Sequence, residues 1–578
     1  MIARENVRDI LPLSPLQQGM LFHAESDASS HAYHEQLAYR IDGPLDVAAF
    51  RRAWELVVER HDALRAAFVH RTSARPLQVI LKSRAPEFTV REAATLDEVL
   101  AEDRSRPFDL ERDPLVRVMV VRVAPDEHLV VWSYHHILLD GWCVPIVLEE
   151  VLASYSAFVR GEQPRLEPAP PYSRYFEWLR TRDENAAVAW FANELRGIEG
   201  NASFPGRGTT GTSGRATYRF AFTRGESDAL RALARQIGVT LPIVLDALWG
   251  ILLARHNHAR DVVFGTTVSG RPAVVMGIER MAGLFINTIP LRVRYDGATT
   301  LRALAAELHA RFRESEEHHH APLAAIQSAV ATPALFDHLF IVESYPVGER
   351  LTRALASSVD GLRIAPAGAF EQTNYDVVVA IAPDEEIVVN FDYDASRIAA
   401  SIFPRLVEHW RVLARAAATD PEQRVAMLPL ITDAERDELR ALGTGEIIDI
   451  PHRSLTDAFR AVAESDAPAV IHGERTLTFR DLDEASNRIA AFLVREHGVQ
   501  RGDRVLLDCG RTHDTIAALL GILKAGAAYV PVDPLAPPER VRAMREDAGC
   551  VAVLDADALR RALAAPAAPP QIDIGPGD

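Results

Sequence analysis

The chain has 578 residues, 48% hydrophobic and 25% charged, the balance of an ordinary soluble globular protein long enough for three or four compact units. Its 63 basic and 80 acidic residues leave a formal charge of −17, which argues against nucleic acid or an anionic membrane as a bulk partner. Cys143, Cys509 and Cys550 form no CxxC pair and no segment reaches the ~20 apolar residues that span a bilayer, so a reducing cytoplasm without a disulfide framework or zinc site is expected.

Taken in order, EQLAYRIDGPL reads as a strand and turn, DVAAFRRAWELVVERH as an amphipathic helix, and LRAAFVH as the next strand. Residues 128–134 (HLVVWSY) are rich in β-branched and aromatic types and predict a buried strand. From Gly141 to Gly161, apolar residues recur every three or four positions, as in an amphipathic helix. Pro164, Pro168, Pro170 and Pro171 then mark a boundary. Residues 240–256 (TLPIVLDALWGILLARH) predict a buried helix with Thr240 as N-cap and proline in its first turn, followed by the strand DVVFGTTV. Both helix-to-strand units carry Arg-His at the helix end, Arg60-His61 and Arg255-His256, which hints at an internal duplication. His318-His319-His320 is expected to be a polar helix end near a cleft, because consecutive helical residues diverge and rarely chelate together. After a Gly-containing linker near 436–452, a second unit begins, with LTFRDL (477–482) and LKAGAAYVPVDP (523–534), the latter a helix, a Gly C-cap and a buried strand.

Between the strand and helix that flank it, Ser133-Tyr134-His135-His136-Ile137-Leu138-Leu139-Asp140-Gly141-Trp142 carries the densest chemistry. Paired histidines at a strand end, followed by an acid and a glycine, can move protons near neutral pH, where imidazole titrates. By composition alone the pair also fits a solvated turn or satisfied core histidines, and His136 with Asp140, four apart, fits a metal site if the turn is helical. Other motifs bear on the choice. These are Leu11-Pro-Leu-Ser-Pro-Leu-Gln17-Gln18-Gly19-Met20-Leu21-Phe22-His23, Arg60-His61-Asp62-Ala63-Leu64-Arg65, Tyr172-Ser-Arg174-Tyr175-Phe-Glu-Trp178, Ser269-Gly270-Arg271-Pro272, Gly283-Leu284-Phe285-Ile286-Asn287-Thr288, His320-Ala-Pro322-Leu323 and Thr373-Asn374-Tyr375-Asp376. In this order, over roughly residues 7–435, they resemble the condensation domains of nonribosomal peptide synthetases, whose active-site pattern HHxxxDG is met at 135–141. Asp62 stands for the family's Glu and Arg174 for its Asp. The stretch from 453 to 578 resembles the start of an adenylation domain.

The resemblance implies an α/β (α+β) fold of two chloramphenicol-acetyltransferase-like lobes forming a V-shaped pseudodimer, residues 1–170 and 171–435, then a linker (436–452) and an incomplete adenylation subdomain (453–578). It implies peptide-bond formation between a donor acyl or peptidyl thioester and an acceptor aminoacyl thioester, both on phosphopantetheinyl carrier proteins. No GGxS motif is present, so no pantetheine is expected on this chain and the arm comes with the partners. No cofactor or metal of its own is expected. His136 is the group expected at the attacking amine, as base or by positioning; the Gly141 N–H, at a helix start, is expected to face the oxyanion. His135 is expected to support the loop. Asp140 is either the orienter of the histidine or, the preferred reading, an anchor for Arg271 with Arg65 nearby, since a buried carboxylate needs a partner. Trp142 and Asn287 are expected to line the channel or support its floor. Without a Gly/Ser/Thr-rich phosphate loop and lysine, the adenylation-like segment is expected to be inactive. If Met1 is the native start, the donor arrives from a separate protein, and the SPLQQGMLFH and YHHILLDGWC forms resemble domains that take a D-configured donor. The alternatives are an epimerisation domain, a starter domain taking a fatty-acyl donor, and a non-catalytic carrier-recruiting domain.

Overall fold

The computed structural model describes residues 3–26, 32–71, 75–92, 95–198, 202–332, 335–343, 361–446, 448–449 and 451–566. Two compact units divide it, Met1–Leu439 and Arg440–Asp578. The class is mixed α/β, as expected.

The first unit carries fourteen described strands. Its first half holds β1 (Val7–Leu11), β2 (His34–Asp42), β3 (Ala66–Val69), β4 (Leu77–Leu81), β5 (Glu87–Glu92), β6 (Val116–Ala124) and β7 (Glu127–His135). Its second half holds β8 (Arg215–Ala221), β9 (Asp261–Val268), β10 (Asn287–Arg294), β11 (His338–Val342), β12 (Arg363–Phe370), β13 (Val377–Pro383) and β14 (Ile387–Asp394). They form sheets in the orders β1-β4-β3, β12-β2-β7-β6-β5 and β10-β9-β11-β13-β14-β8.

One core lies against the β2-β7-β6 sheet. Helix Val47–Arg60 is N-capped by the Asp46 carboxylate and buries Phe50, Ala53, Trp54, Val57 and Val58 at helical spacing, with Trp54 5.0 Å from Trp132. A second core surrounds helix Leu241–His256, in which every residue from Ile243 to Ala254 is buried. Such all-round burial is what a helix without a polar face requires. Thr240 stands at its N-cap position but makes no side-chain cap bond. The LRAAFVH segment is strand only from Ala66, because Asp62–Arg65 winds into a 3₁₀ turn. Among the described residues no single helix is long and apolar enough to cross a membrane; the bent pair Arg224–Ile237 and Leu241–His256 passes that test only jointly.

The two cores do not follow a single cut in the chain. Tyr172, Tyr175 and Phe176, together with Val275, Ile278, Met281, Ala282, Leu284 and Phe285, are packed in the first core. Strand β12, from the second half, pairs antiparallel with β2 and forms the edge of the first sheet. These two crossings bring together residues far apart in the sequence.

In the second unit, β15 (Pro468–His472) and β16 (Arg475–Thr478) form a hairpin, and β17 (Arg504–Asp508) lies parallel between β18 (Ala528–Pro531) and β19 (Ala552–Asp555). The LTFRDL motif is a helix start: Thr478 and Asp481 form a capping box for helix Phe479–His497. The LKAG motif is a packing device. Lys524 donates to Asp483 Oδ1 at 2.6 Å, Ser486 Oγ at 2.7 Å and Asn487 Oδ1 at 2.9 Å, tying helix His513–Lys524 to its neighbour.

Candidate active site

Strand β7 ends at His135 because β2 keeps pairing to that point, His34 opposite His135 and Glu35 opposite Tyr134. The chain then turns, and helix Cys143–Val159 begins after Gly141 and Trp142. The His136 amide donates to the Tyr33 carbonyl at 2.8 Å. Gln17, from the opening motif, buries its amide beneath the turn and donates to the Ile137 carbonyl at 3.0 Å. His135 is inward and structural. Its Nδ1 accepts from the Ile137 amide at 3.1 Å, and burial first, then the neighbouring His136 and His34, pushes its pKa down to about 3, so it is neutral.

His136 differs. It is half-buried, its Nδ1 is enclosed by protein, and that nitrogen has no hydrogen-bond partner among the described residues. Gly141 is an exposed residue, and its amide has no acceptor among the described residues.

Asp140 is 0% exposed and makes no hydrogen bond to either histidine among the described residues. Its Oδ1 accepts from Arg271 at 2.9 Å and its Oδ2 from the Phe285 amide at 3.1 Å. Arg271 also donates to the Ile278 and Met281 carbonyls at 2.6 and 3.0 Å and lies 4.2 Å above the Phe285 ring. Burial is the largest single influence and opposes its charge, but Asp140 and Cys143 together outweigh it and raise its pKa. The Cys143 thiol completes the cluster, 3.2 Å from Asp140 Oδ1 and 3.1 Å from the Gly283 carbonyl, with its pKa pushed up to about 12 by burial and then by Asp140.

The partner arrives by sheet geometry. Val268, the last residue of β9, pairs with Asn287, the first of β10, so residues 269–286 form one long excursion into the first core. Two glycines make the approach possible. A Cβ on Gly270 (φ +57°) would lie 1.8 Å from the Phe285 carbonyl oxygen, and one on Gly283 2.3 Å from the Tyr172 ring. Tyr172 Oη then bridges the Leu284 amide and carbonyl at 3.2 and 3.0 Å.

Arg65 is not part of this cluster. It is spent locally, on Asp62 three residues back at 2.8 Å and on the Leu81 and Lys82 carbonyls, so its expected place beside Asp140 is corrected. Asn287 is buried and donates to the His319 and Ala321 carbonyls, both at 2.8 Å. The three histidines diverge as anticipated: His318 stacks on Trp190, His319 meets Ser315 Oγ at 2.8 Å, and His320 faces the Asp183 carbonyl at 3.3 Å. A cavity of about 470 Å³ is lined by Trp142, Arg271, Asn287, Phe312, His319 and His320 among others, but not by His136.

Cys143, Gln17 and Tyr172 were not singled out from sequence as site residues. Cys143 lies two residues past the HHxxxDG pattern and Gln17 within the opening motif, so their positions were the only signal.

Comparison with known proteins gives this geometry a family. The model of the condensation domain matches residues 7–440. The chain belongs to the condensation-domain family. Residues 458–574 match the model of the AMP-binding enzymes. The chain is 36% identical over 556 residues to tyrocidine synthase 2 of Brevibacillus parabrevis, covering 94% of this chain and 16% of that protein. It is 33% identical over 567 residues to surfactin synthase subunit 3 of Bacillus subtilis (strain 168), covering 96% and 44%. It therefore spans less than half of either relative. In fold it is similar to the nonribosomal peptide synthetase FmoA3 (TM-score 0.71, 22% identity, 100% of this chain and 63% of that one). It is also similar to the four-domain nonribosomal peptide synthetase AB3403 (TM-score 0.67, 21% identity, 95% and 43%).

Proposed function

We propose that the first unit catalyses amide-bond formation between a donor acyl or peptidyl thioester and an acceptor aminoacyl thioester, each presented on the phosphopantetheine arm of a carrier protein. The observation that carries this reading is the contrast within one turn: both carboxylate oxygens of Asp140 are satisfied, whereas His136 keeps a ring nitrogen without a partner among the described residues. A buried polar group left unsatisfied calls for an explanation, and a ligand that completes it supplies one here.

In the reaction the acceptor nitrogen forms the new C–N bond, the donor C–S bond breaks, and the proton lost by nitrogen ends on the departing thiol. A thioester is already activated and an α-amine has a pKa near 8, so positioning supplies much of the rate. His136 acts at the attacking amine, as base or by holding the cationic tetrahedral species. The Gly141 N–H, at a helix start, is oriented for the oxyanion. Asp140 and Arg271 frame the turn; His135 packs beneath it; Trp142 and Asn287 shape the cavity through which an arm approaches. We assign residues 1–170 and 171–435 to the two lobes of this catalyst, 436–452 to the linker, and read 453–578 as supplying no adenylation chemistry in a chain of these 578 residues.

A single-turnover assay with one donor-loaded and one acceptor-loaded carrier tests the proposal. Amide product supports it; tight carrier binding without product assigns the unit to carrier recruitment instead. Paired donors of L and D configuration, with no epimerase present, test the expected D preference.

A further inference from the structure

Two carboxylates stand beside His136 that neither the motif nor the mechanism above uses. Glu35 lies on β2, is 8% exposed, and has a buried carboxylate oxygen without a hydrogen-bond partner among the described residues. Glu371 follows the last residue of β12 and is exposed. The register explains their meeting. Phe370 on β12 pairs with Gln36 on β2, and Glu35 pairs with Tyr134 on β7, so three strand ends converge on the histidine turn. One carboxylate oxygen from each glutamate and one ring nitrogen of His136 all lie within 4.8 Å of one another. No hydrogen bond joins the three groups among the described residues.

Burial, and then the charge of Glu371, hold the Glu35 carboxyl well above the usual carboxylate range. Two acids facing each other in this way are mutually destabilising when both are charged, and a cation placed between them removes the conflict.

We propose that Glu35 and Glu371, with His136, form a seat for the ammonium group of the acceptor aminoacyl thioester. This rests on the condensation reading of His136 and names the residues that select an amine as nucleophile. An α-amine is largely ammonium near neutral pH. A tetrahedral nitrogen making hydrogen bonds of about 2.8 Å holds its acceptors about 4.6 Å apart, inside the 4.8 Å that bounds the separations of the three groups. Held there, the ammonium passes one proton to His136. His136 releases that proton to solvent; the free amine forms the C–N bond, the C–S bond breaks, and His136 takes the second proton from nitrogen and hands it to the thiolate, which leaves as thiol. Glu35 and Glu371 are positioning residues, since they hold the amine and leave the proton transfer to His136.

The test compares the full chain with Glu35→Gln and Glu371→Gln. It measures acceptor KM and kcat with a fixed donor, and equilibrium binding of an aminoacyl thioester and of its isostere bearing hydroxyl for amine. Each variant should raise the amine acceptor's KM, and weaken its binding, about tenfold, with kcat within about twofold and binding of the hydroxyl isostere unchanged. Equal weakening for both isosteres would assign the glutamates a structural role and overturn the seat, as would unchanged KM and binding. Loss of wild-type activity on chelation by EDTA, restored by a divalent cation, would make the seat a metal site and overturn the proposal. Should the wild type make no amide, amine-selective binding that the variants lose still supports the seat, while the condensation reading alone falls.

Discussion

Asp140 and His136 are four residues apart, yet their surroundings are opposite. Both carboxylate oxygens of Asp140 are paired: Arg271, the Phe285 amide and the Cys143 thiol close on it with no solvent access. Around His136 the pairing stops among the described residues, leaving an enclosed ring nitrogen without a partner, a Gly141 amide without an acceptor and two carboxylates without a cation. One short motif therefore does two separable jobs. The acid end fastens the second half of the chain into the first core, and the histidine end is left for substrate.

That comparison breaks most visibly at the acid end. Asp140→Ala strands a buried guanidinium, and loss of one partner of a buried pair costs about 3–5 kcal/mol. We expect the melting temperature of the first unit to fall by several degrees and soluble yield to drop, with activity lost as a consequence. The double variant Asp140→Ala/Arg271→Leu should recover part of that stability, because no unpaired charge remains. An unchanged melting temperature with lost activity would move Asp140 into the chemistry.

Gln17→Ala sharpens the boundary between the two ends. It leaves the Ile137 carbonyl unsatisfied beneath the turn, a loss of about 1–3 kcal/mol that differential scanning fluorimetry reads. Condensation should fall in step with the displaced turn rather than vanish.

A smaller effect is expected from His135. Its folded pKa of about 3 lies below the unfolded value of 6.5, so the unfolded chain binds the extra proton between those limits. Stability from a neutral His135 is fully present above pH 6.5 and declines as pH falls toward 3. His135→Asn should flatten that acid dependence by up to about 1.4 kcal/mol per pH unit, measured by urea titration at pH 7, 6 and 5. An unaltered slope would mean that His135 stays solvated.

Much of this was legible in the chain. The β-branched run before His135 and the apolar periodicity after Gly141 gave the strand and helix of the turn, and the preferred pairing of Asp140 with Arg271 is the one the structure contains. What sequence left out is non-local. Arg65 belongs to a family-like segment, but Asp62 three residues away captures it, and nothing in RHDALR alone tells a local pair from a distant one. Glu35 and Glu371 meet only because β12 crosses to β2, a pairing fixed by tertiary packing that no short motif encodes. Cys143 looks like an ordinary residue in a helix's first turn until Gly283 closes on its sulfur.

The most direct test of the central claim is His136→Ala, read by single-turnover condensation and thermal unfolding on the same preparation. With few bonds of its own to lose, the side chain should leave the melting temperature within about 1 °C of wild type, while amide formation falls by at least about 100-fold. Near-wild-type product from a well-folded His136→Ala protein would contradict the account.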